Sequence, residues 1–86
     1  MTRYRVEWTN RAEKELRRLG SDAQFRVRRA VELLGDAPRH PGVVSLAGRA
    51  EYRLRVGDYR VLFEIHDERV LVLVVAVRKR EDAYRT

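Results

Sequence analysis

Apolar and polar positions alternate with a period of two in three stretches of the chain. Tyr4, Val6 and Trp8 alternate with Arg3, Arg5 and Glu7; Tyr52, Leu54 and Val56 alternate with Glu51, Arg53 and Arg55; Tyr59, Val61 and Phe63 follow with Arg60 between them. Side chains point to opposite faces along a strand, so each stretch predicts a half-buried strand. Gly57-Asp58 lies between the last two, and Gly followed by Asp suits a two-residue type II′ hairpin turn. That turn sets Val56 opposite Tyr59, Arg55 opposite Arg60 and Leu54 opposite Val61. One face of the hairpin is then apolar, and the other carries Arg53, Arg55 and Arg60. Like charges directly across a ladder are destabilising, so Arg55 opposite Arg60 calls for either a nearby carboxylate such as Glu64 or an anionic ligand.

Between the first strand and the hairpin the period changes. Thr9 and Asn10 offer helix caps, Asn10 with Glu13 has capping-box spacing, and Ala12, Leu16 and Leu19 form the inward side of a helix that Gly20 ends. Ser21 or Asp22 caps a second helix, with Gln24 completing a box from Ser21. Its inward stripe is Val27, Ala30, Val31 and Leu34, with Arg26, Arg28 and Arg29 interleaved, and Gly35 stops it. The segment from Val43 to Arg49 reads as a connection in which Leu46 plugs the core. Asp67-Glu68 reads as a second turn. The eight residues Val70 to Val77 are all apolar, the pattern of a strand covered on both faces. The expected architecture is α+β, ordered β-α-α-β-β-β: an antiparallel helical hairpin packed on a mostly antiparallel four-stranded sheet, as a single domain over residues 1–86.

Composition narrows this picture. A chain of 86 residues buries roughly 60–65% of its unfolded surface, enough for one modest core. It has no cysteine, which excludes disulfides and thiolate zinc sites and fits a cytoplasmic location. No apolar run approaches the ~20 residues that span a bilayer, and MTRYRVEW contains no apolar signal core. Net charge is +6, from 19 basic and 13 acidic residues, and 17 of the basic residues are arginine. That balance points to a polyanion or an acidic protein partner, and arginine is the better fork for phosphate.

The common catalytic constellations are missing from the sequence. The five glycines are scattered rather than gathered in a phosphate loop, and His40 and His66 have no convergent ligands. Tyr52, Tyr59 and Phe63 could stack bases, but they fall on the face assigned to the core. What remains is the arginine face and the tail with Lys79, Arg80 and Tyr84. Arginines hold phosphates by charge-assisted, bidentate hydrogen bonds. RNA cleavage by its own 2′-hydroxyl requires deprotonation of the attacking oxygen, stabilisation of the phosphorane and protonation of the leaving 5′-oxygen. Arg53, Arg55, Arg60 and Arg80 suit the second task, and Tyr84 suits proton transfer. Arginine is not a natural general base, so such a site works best on a substrate already bent for in-line attack.

The stretches YRVEWTNRAEKELRRL, YRLRVGDYRVLFEI and VAVRKREDAYR, with the Leu46-x-Gly48 step, resemble the RelE/ParE toxin superfamily and specifically its RelE branch. The resemblance covers nearly the whole chain. It implies a type II toxin–antitoxin ribonuclease that enters the 30S A site of the ribosome, contacts 16S rRNA and cuts mRNA there. It implies a 2′,3′-cyclic phosphate product and no metal or other cofactor. Arg53 and Arg55 stand where relatives have two basic residues, often lysines. Arg60 matches the arginine after the hairpin tyrosine, assigned to phosphate stabilisation; Arg80 matches the arginine at the end of the last strand, and Tyr84 the C-terminal tyrosine. A histidine common in relatives near Arg78 is missing, and arginine at both Arg53 and Arg55 leaves the general base unassigned. Arg26, Arg28, Arg29, Arg49, Arg78 and Lys79 are the further candidates for RNA or ribosome contact. The implied partner is a cognate RelB-like antitoxin, acidic and mostly helical, through which alone the complex binds operator DNA; no membrane is involved. The alternatives are a ParE-like inhibitor of DNA gyrase and a degenerate module that only binds its antitoxin.

One geometric question stays open in the sequence. If Asp67-Glu68 is a tight two-residue turn, Val75 faces Arg60 and Arg80 points away from the arginine face. Either the turn is longer by one residue, or the chain leaves the sheet after Val77.

Overall fold

The computed structural model describes residues 3–46, 48 and 50–79. The elements run β1 (Arg5–Trp8), α1 (Asn10–Arg17), α2 (Ser21–Leu34), β2 (Val43–Ser45), β3 (Glu51–Val56), β4 (Tyr59–His66), a 3₁₀ turn (Asp67–Arg69) and β5 (Leu71–Lys79). They form an α+β fold in which two helices pack on one face of a sheet ordered β1-β5-β4-β3-β2. The sheet therefore has five strands where four were expected. The extra strand is Val43–Ser45, which pairs antiparallel to β3 in the segment read as a connection. Three residues are too few to show a period, which is why the pattern hid it.

β5 lies between β1 and β4, parallel to the first and antiparallel to the second. Its near-continuous apolarity follows from that central position. Val72, Val74 and Val77 join Leu54, Val61 and Phe63 on the helix-covered face, while Leu71 and Ala76 are buried on the other. From the helices, Ala12 and Leu16 of α1 and Val27, Val31 and Leu34 of α2 complete the core. Tyr4, Val6 and Trp8 pack against it, as their alternation required.

The caps differ in detail from expectation. Thr9 caps α1, its hydroxyl accepting the Ala12 N–H at 3.1 Å, and Asn10 is already the first helical residue. Gly20 is the cap residue of α2, and Gln24 turns its side-chain amide back to the Leu19 carbonyl at 2.8 Å instead of boxing with Ser21. Gly35 is required by close approach. A Cβ there would sit 2.9 Å from the Tyr4 carbonyl oxygen, where β1 begins. Leu46 does not plug the core; it borders the arginine face beside Arg53 and Leu62. No described helix is long and apolar enough to cross a membrane.

Candidate functional site

The hairpin forms in the expected register: Val56 opposite Tyr59, Arg55 opposite Arg60, Leu54 opposite Val61. Gly57 takes φ +57° and Asp58 stays at negative φ, the combination of a type II′ turn. Because both described helices occupy the other face, no helix among the described residues lies over the face carrying Arg53, Arg55 and Arg60. Arg60 pairs with Arg78 on its second side, so Arg55, Arg60 and Arg78 form one row across three adjacent strands. Neighbouring strands lie about 4.8 Å apart, close enough for one phosphate to engage two of these guanidinium groups.

Two shallow depressions share Arg53 and Arg60. One, of about 260 Å³, adds Arg55, Gly42 and Val44; the other, of about 110 Å³, adds Arg78, Leu46 and Leu62. Arg53, Arg55 and Arg78 make no ion pair or hydrogen bond with a described residue, whereas Arg3, Arg5, Arg11, Arg28 and Arg39 each hold a carboxylate within 3.4 Å. Glu64, on the same face, pairs with His66 at 2.8 Å.

The position of Arg78 corrects the tight-turn expectation. Four residues, Asp67 to Val70, separate His66 from its partner Leu71, with Val70 in the left-handed region at φ 50°. A turn longer by two leaves the parity unchanged. The parity changes at a bulge: Phe63 pairs with Val74 and Leu62 with Ala76, so Val75 is extra. Beyond it the even-numbered residues join the arginine face, and Arg78 rather than Val75 meets Arg60.

Arg80 and Tyr84, expected at the site, and Arg49, expected to touch RNA, lie outside the described residues. Arg26, Arg28 and Arg29 sit on α2, across the sheet from the hairpin arginines. Arg28 bonds Glu13 at 3.0 Å and lies over the Trp8 ring at 5.6 Å. Arg26 approaches the hairpin turn, 3.8 Å from where a Cβ on Gly57 would be. Lys79 ends β5 opposite Tyr59. His40 is absorbed locally, its Nδ1 accepting the Gly42 N–H at 3.0 Å. Among the described residues no three His, Asp or Glu side chains gather to hold a metal.

A polar clasp behind the site escaped the sequence reading. Asp67 accepts the Tyr4 hydroxyl at 2.7 Å and both terminal nitrogens of Arg39, at 3.0 and 2.9 Å. Arg39 also lies over the Tyr52 ring at 5.5 Å, and Tyr52 stacks on Phe63. The hydrogen bonds from Arg39 and then Tyr4 pull the Asp67 carboxyl down to about 2, while Asp67 pushes the Tyr4 phenol up. The clasp joins the loop after α2 to β1, β3 and the turn before β5. Its members are too far apart in sequence for any local pattern to pair them.

The sequence model of the ParE toxin family of type II toxin–antitoxin systems (parDE) matches residues 6–84. The mRNA interferase toxin RelE of Escherichia coli (strain K12) is 30% identical over 80 residues, spanning 91% of this chain and 84% of that protein. Among solved structures, the toxin–antitoxin complex RelBE2 from Mycobacterium tuberculosis superposes with a TM-score of 0.83 at 28% identity, covering 93% of this chain and 94% of the other. The intact E. coli RelBE complex gives 0.76 at 32% identity, covering 88% and 95%.

Proposed function

This chain belongs to the RelE/ParE superfamily of type II toxin–antitoxin toxins, and from that premise we propose that it is an mRNA endoribonuclease held in check by a cognate RelB-like antitoxin. The observation that carries the proposal is the row Arg55–Arg60–Arg78, with Arg53 beside it, on the face opposite α1 and α2. Three cations side by side in one row offer the phosphates of a polyanion several charge-assisted contacts at once.

In the proposed reaction the 2′-oxygen of one nucleotide attacks the adjacent phosphorus in line with the 5′-oxygen. The P–O2′ bond forms, the P–O5′ bond breaks, and the products are a 2′,3′-cyclic phosphate and a 5′-hydroxyl. The proton lost by the 2′-hydroxyl is balanced by one delivered to the 5′-oxygen. Arg60, flanked by Arg55 and Arg78, is placed to stabilise the equatorial oxygens of the phosphorane. Arg53 orients the strand, and Arg80 and Tyr84 are assigned charge stabilisation and proton transfer by likeness to the family. None of the hairpin arginines is a natural general base, so positioning carries much of the rate. The 30S A site, with 16S rRNA and the mRNA threaded through it, would supply the bent substrate, which makes the activity ribosome-dependent and cytoplasmic.

The antitoxin is proposed to be acidic and mostly helical, and to bring the complex to operator DNA. Phe25 and Leu33, 65% and 56% exposed on α2 with Arg29 between them at helical spacing, give such a partner an apolar and basic footing. A second reading, inhibition of DNA gyrase, is favoured by the match to the ParE family model. Primer extension on mRNA in programmed 70S ribosomes, run beside a gyrase assay scored for cleaved DNA, separates the two. Codon-phased cuts on ribosomes support the ribonuclease. Accumulated cleaved DNA without mRNA cuts supports the gyrase inhibitor, and inertness in both leaves an antitoxin-binding module.

A further inference from the structure

The arginine face does not end at the edge of the hairpin. Arg78 borders the depression holding Arg53 and Arg60 and also a larger one, of about 360 Å³, with Tyr59, Lys79 and Arg18. Arg18 borders in turn a third depression of about 380 Å³ beside Arg11 and Lys14 of α1. The cations thus mark a continuous path from the hairpin, past the end of β5, to the outer side of α1.

Two features set this path apart from an ordinary charged surface. Lys14 and Arg18 are exposed, one helical turn apart, and neither pairs with a described carboxylate. They repel one another at that spacing, while their place at the C-terminal end of α1 lets the helix dipole accommodate both charges. Glu15, the one carboxylate among the described residues lining the path, is already engaged: its Oε1 accepts the Val77 N–H at 2.8 Å and its Oε2 the Arg11 Nε at 3.4 Å. Tyr59 packs against the core on the helix-covered side of the sheet, yet it is only half-buried and also lines this path. A cationic groove interrupted by an aromatic ring is the general design for holding single-stranded nucleic acid, with charge tracking the backbone and the ring stacking a base.

We propose that Lys14, Arg18, Tyr59 and Lys79 form a second arm of the RNA site, which binds the single-stranded backbone next to the cleaved phosphate. The proposal rests on the ribonuclease reading and adds where the strand runs once it leaves the hairpin. The arm selects for a strand without a paired complement, because only unstacked bases can reach Tyr59.

The test uses the full chain and a 2′-O-methyl oligoribonucleotide, which binds but cannot be cut, followed by fluorescence anisotropy across a salt series. Each phosphate contact on a single strand contributes about 0.7 to the slope of log affinity against log salt. The double variant Lys14→Ala/Arg18→Ala is expected to lower that slope by about 1.4. Tyr59→Leu should weaken binding roughly tenfold with the slope unchanged, as loss of one stacked base does. Arg69→Ala, in the turn at the opposite end of β5, should match the unmodified protein. Lys14 and Arg18 are exposed, so the double variant folds; a melting curve verifies it, and this arm stands without Tyr59→Leu should that variant unfold. A slope unchanged in the double variant overturns the proposal. If the protein still cuts mRNA on ribosomes, the ribonuclease reading survives that loss. A reduced slope without any mRNA cutting leaves the arm standing and removes the ribonuclease. A double variant that keeps the slope but loses an acidic antitoxin assigns the path to the protein partner instead, and also overturns the proposal.

Discussion

Arg78 stands directly across the β4–β5 ladder from Arg60, and it does so because Val75 has no partner on β4. Without that extra residue the alternation would bring Val77 opposite Arg60 and turn Arg78 toward the helices. The bulge keeps Val72 and Val74 in the core on one side of it, Val77 in the core on the other, and still delivers a cation to the open face. A bulge beside a functional site that re-aims a side chain is a recurrent device in sheets.

Replacing one arginine of the row relieves repulsion. Arg55→Thr is expected to raise stability by about 0.5 kcal/mol, since it removes a like-charge cross-strand pair and introduces a good strand former. The same variant should bind the uncuttable oligonucleotide more weakly. Urea denaturation and anisotropy on one preparation check both signs; a variant that loses stability would show that the row is held by something other than a bound anion.

The hairpin turn depends on a backbone conformation. Gly57 sits at φ +57°, and a Cβ there would meet only the Arg26 side chain at 3.8 Å. Gly57→Ala is therefore expected to cost about 1 kcal/mol through backbone strain alone. Chemical denaturation measures it, and an unchanged midpoint would refute the turn geometry.

The clasp gives stability a specific acid limb. Asp67 has a carboxyl held near 2 in the folded chain against 3.8 for the free side chain, so its stabilising effect is complete above about pH 4 and is lost as pH falls toward 2. Asp67→Asn should be less stable at neutral pH, and the gap between the two proteins should close as pH approaches 2. Thermal melts from pH 7 to pH 2 test the convergence; parallel curves would mean the carboxylate is not what the clasp uses.

Glu15 finishes the edge of β5 where β1 has ended. Its carboxylate accepts the Val77 N–H, one residue before Arg78. Glu15→Ala strands that N–H and is expected to cost about 1 kcal/mol, while Glu15→Gln keeps an acceptor and should recover most of it. Hydrogen exchange at Val77 reports the contact directly: protection should fall in the alanine variant and persist in the glutamine one.

Much of this was legible in the residues because two periods carry it. The alternation around Gly57-Asp58 places Arg53, Arg55 and Arg60 on one face without any tertiary information, and helical spacing identifies Leu16, Val27, Val31 and Leu34 as core. What stayed hidden depends on single residues or on distance. The bulge at Val75 sits inside an unbroken apolar run from Val70 to Val77, where nothing distinguishes the extra residue from its neighbours. Val43–Ser45 becomes a strand because β3 offers it a partner, and Asp67 becomes a clasp because the fold brings Arg39 and Tyr4 to it. The arm along α1 was invisible for the same reason: Lys14 and Arg18 join the path only once α1 lies beside the end of β5.

The claim that the arginine row stabilises the reacting phosphate is tested most directly at Arg60. Primer extension on mRNA in programmed 70S ribosomes should show codon-phased cuts with the unmodified protein. In Arg60→Ala they should fall by a factor of about 100 or more, the size expected for removing one stabiliser of a charged transition state, while the protein stays folded. Cuts undiminished in folded Arg60→Ala would contradict the account.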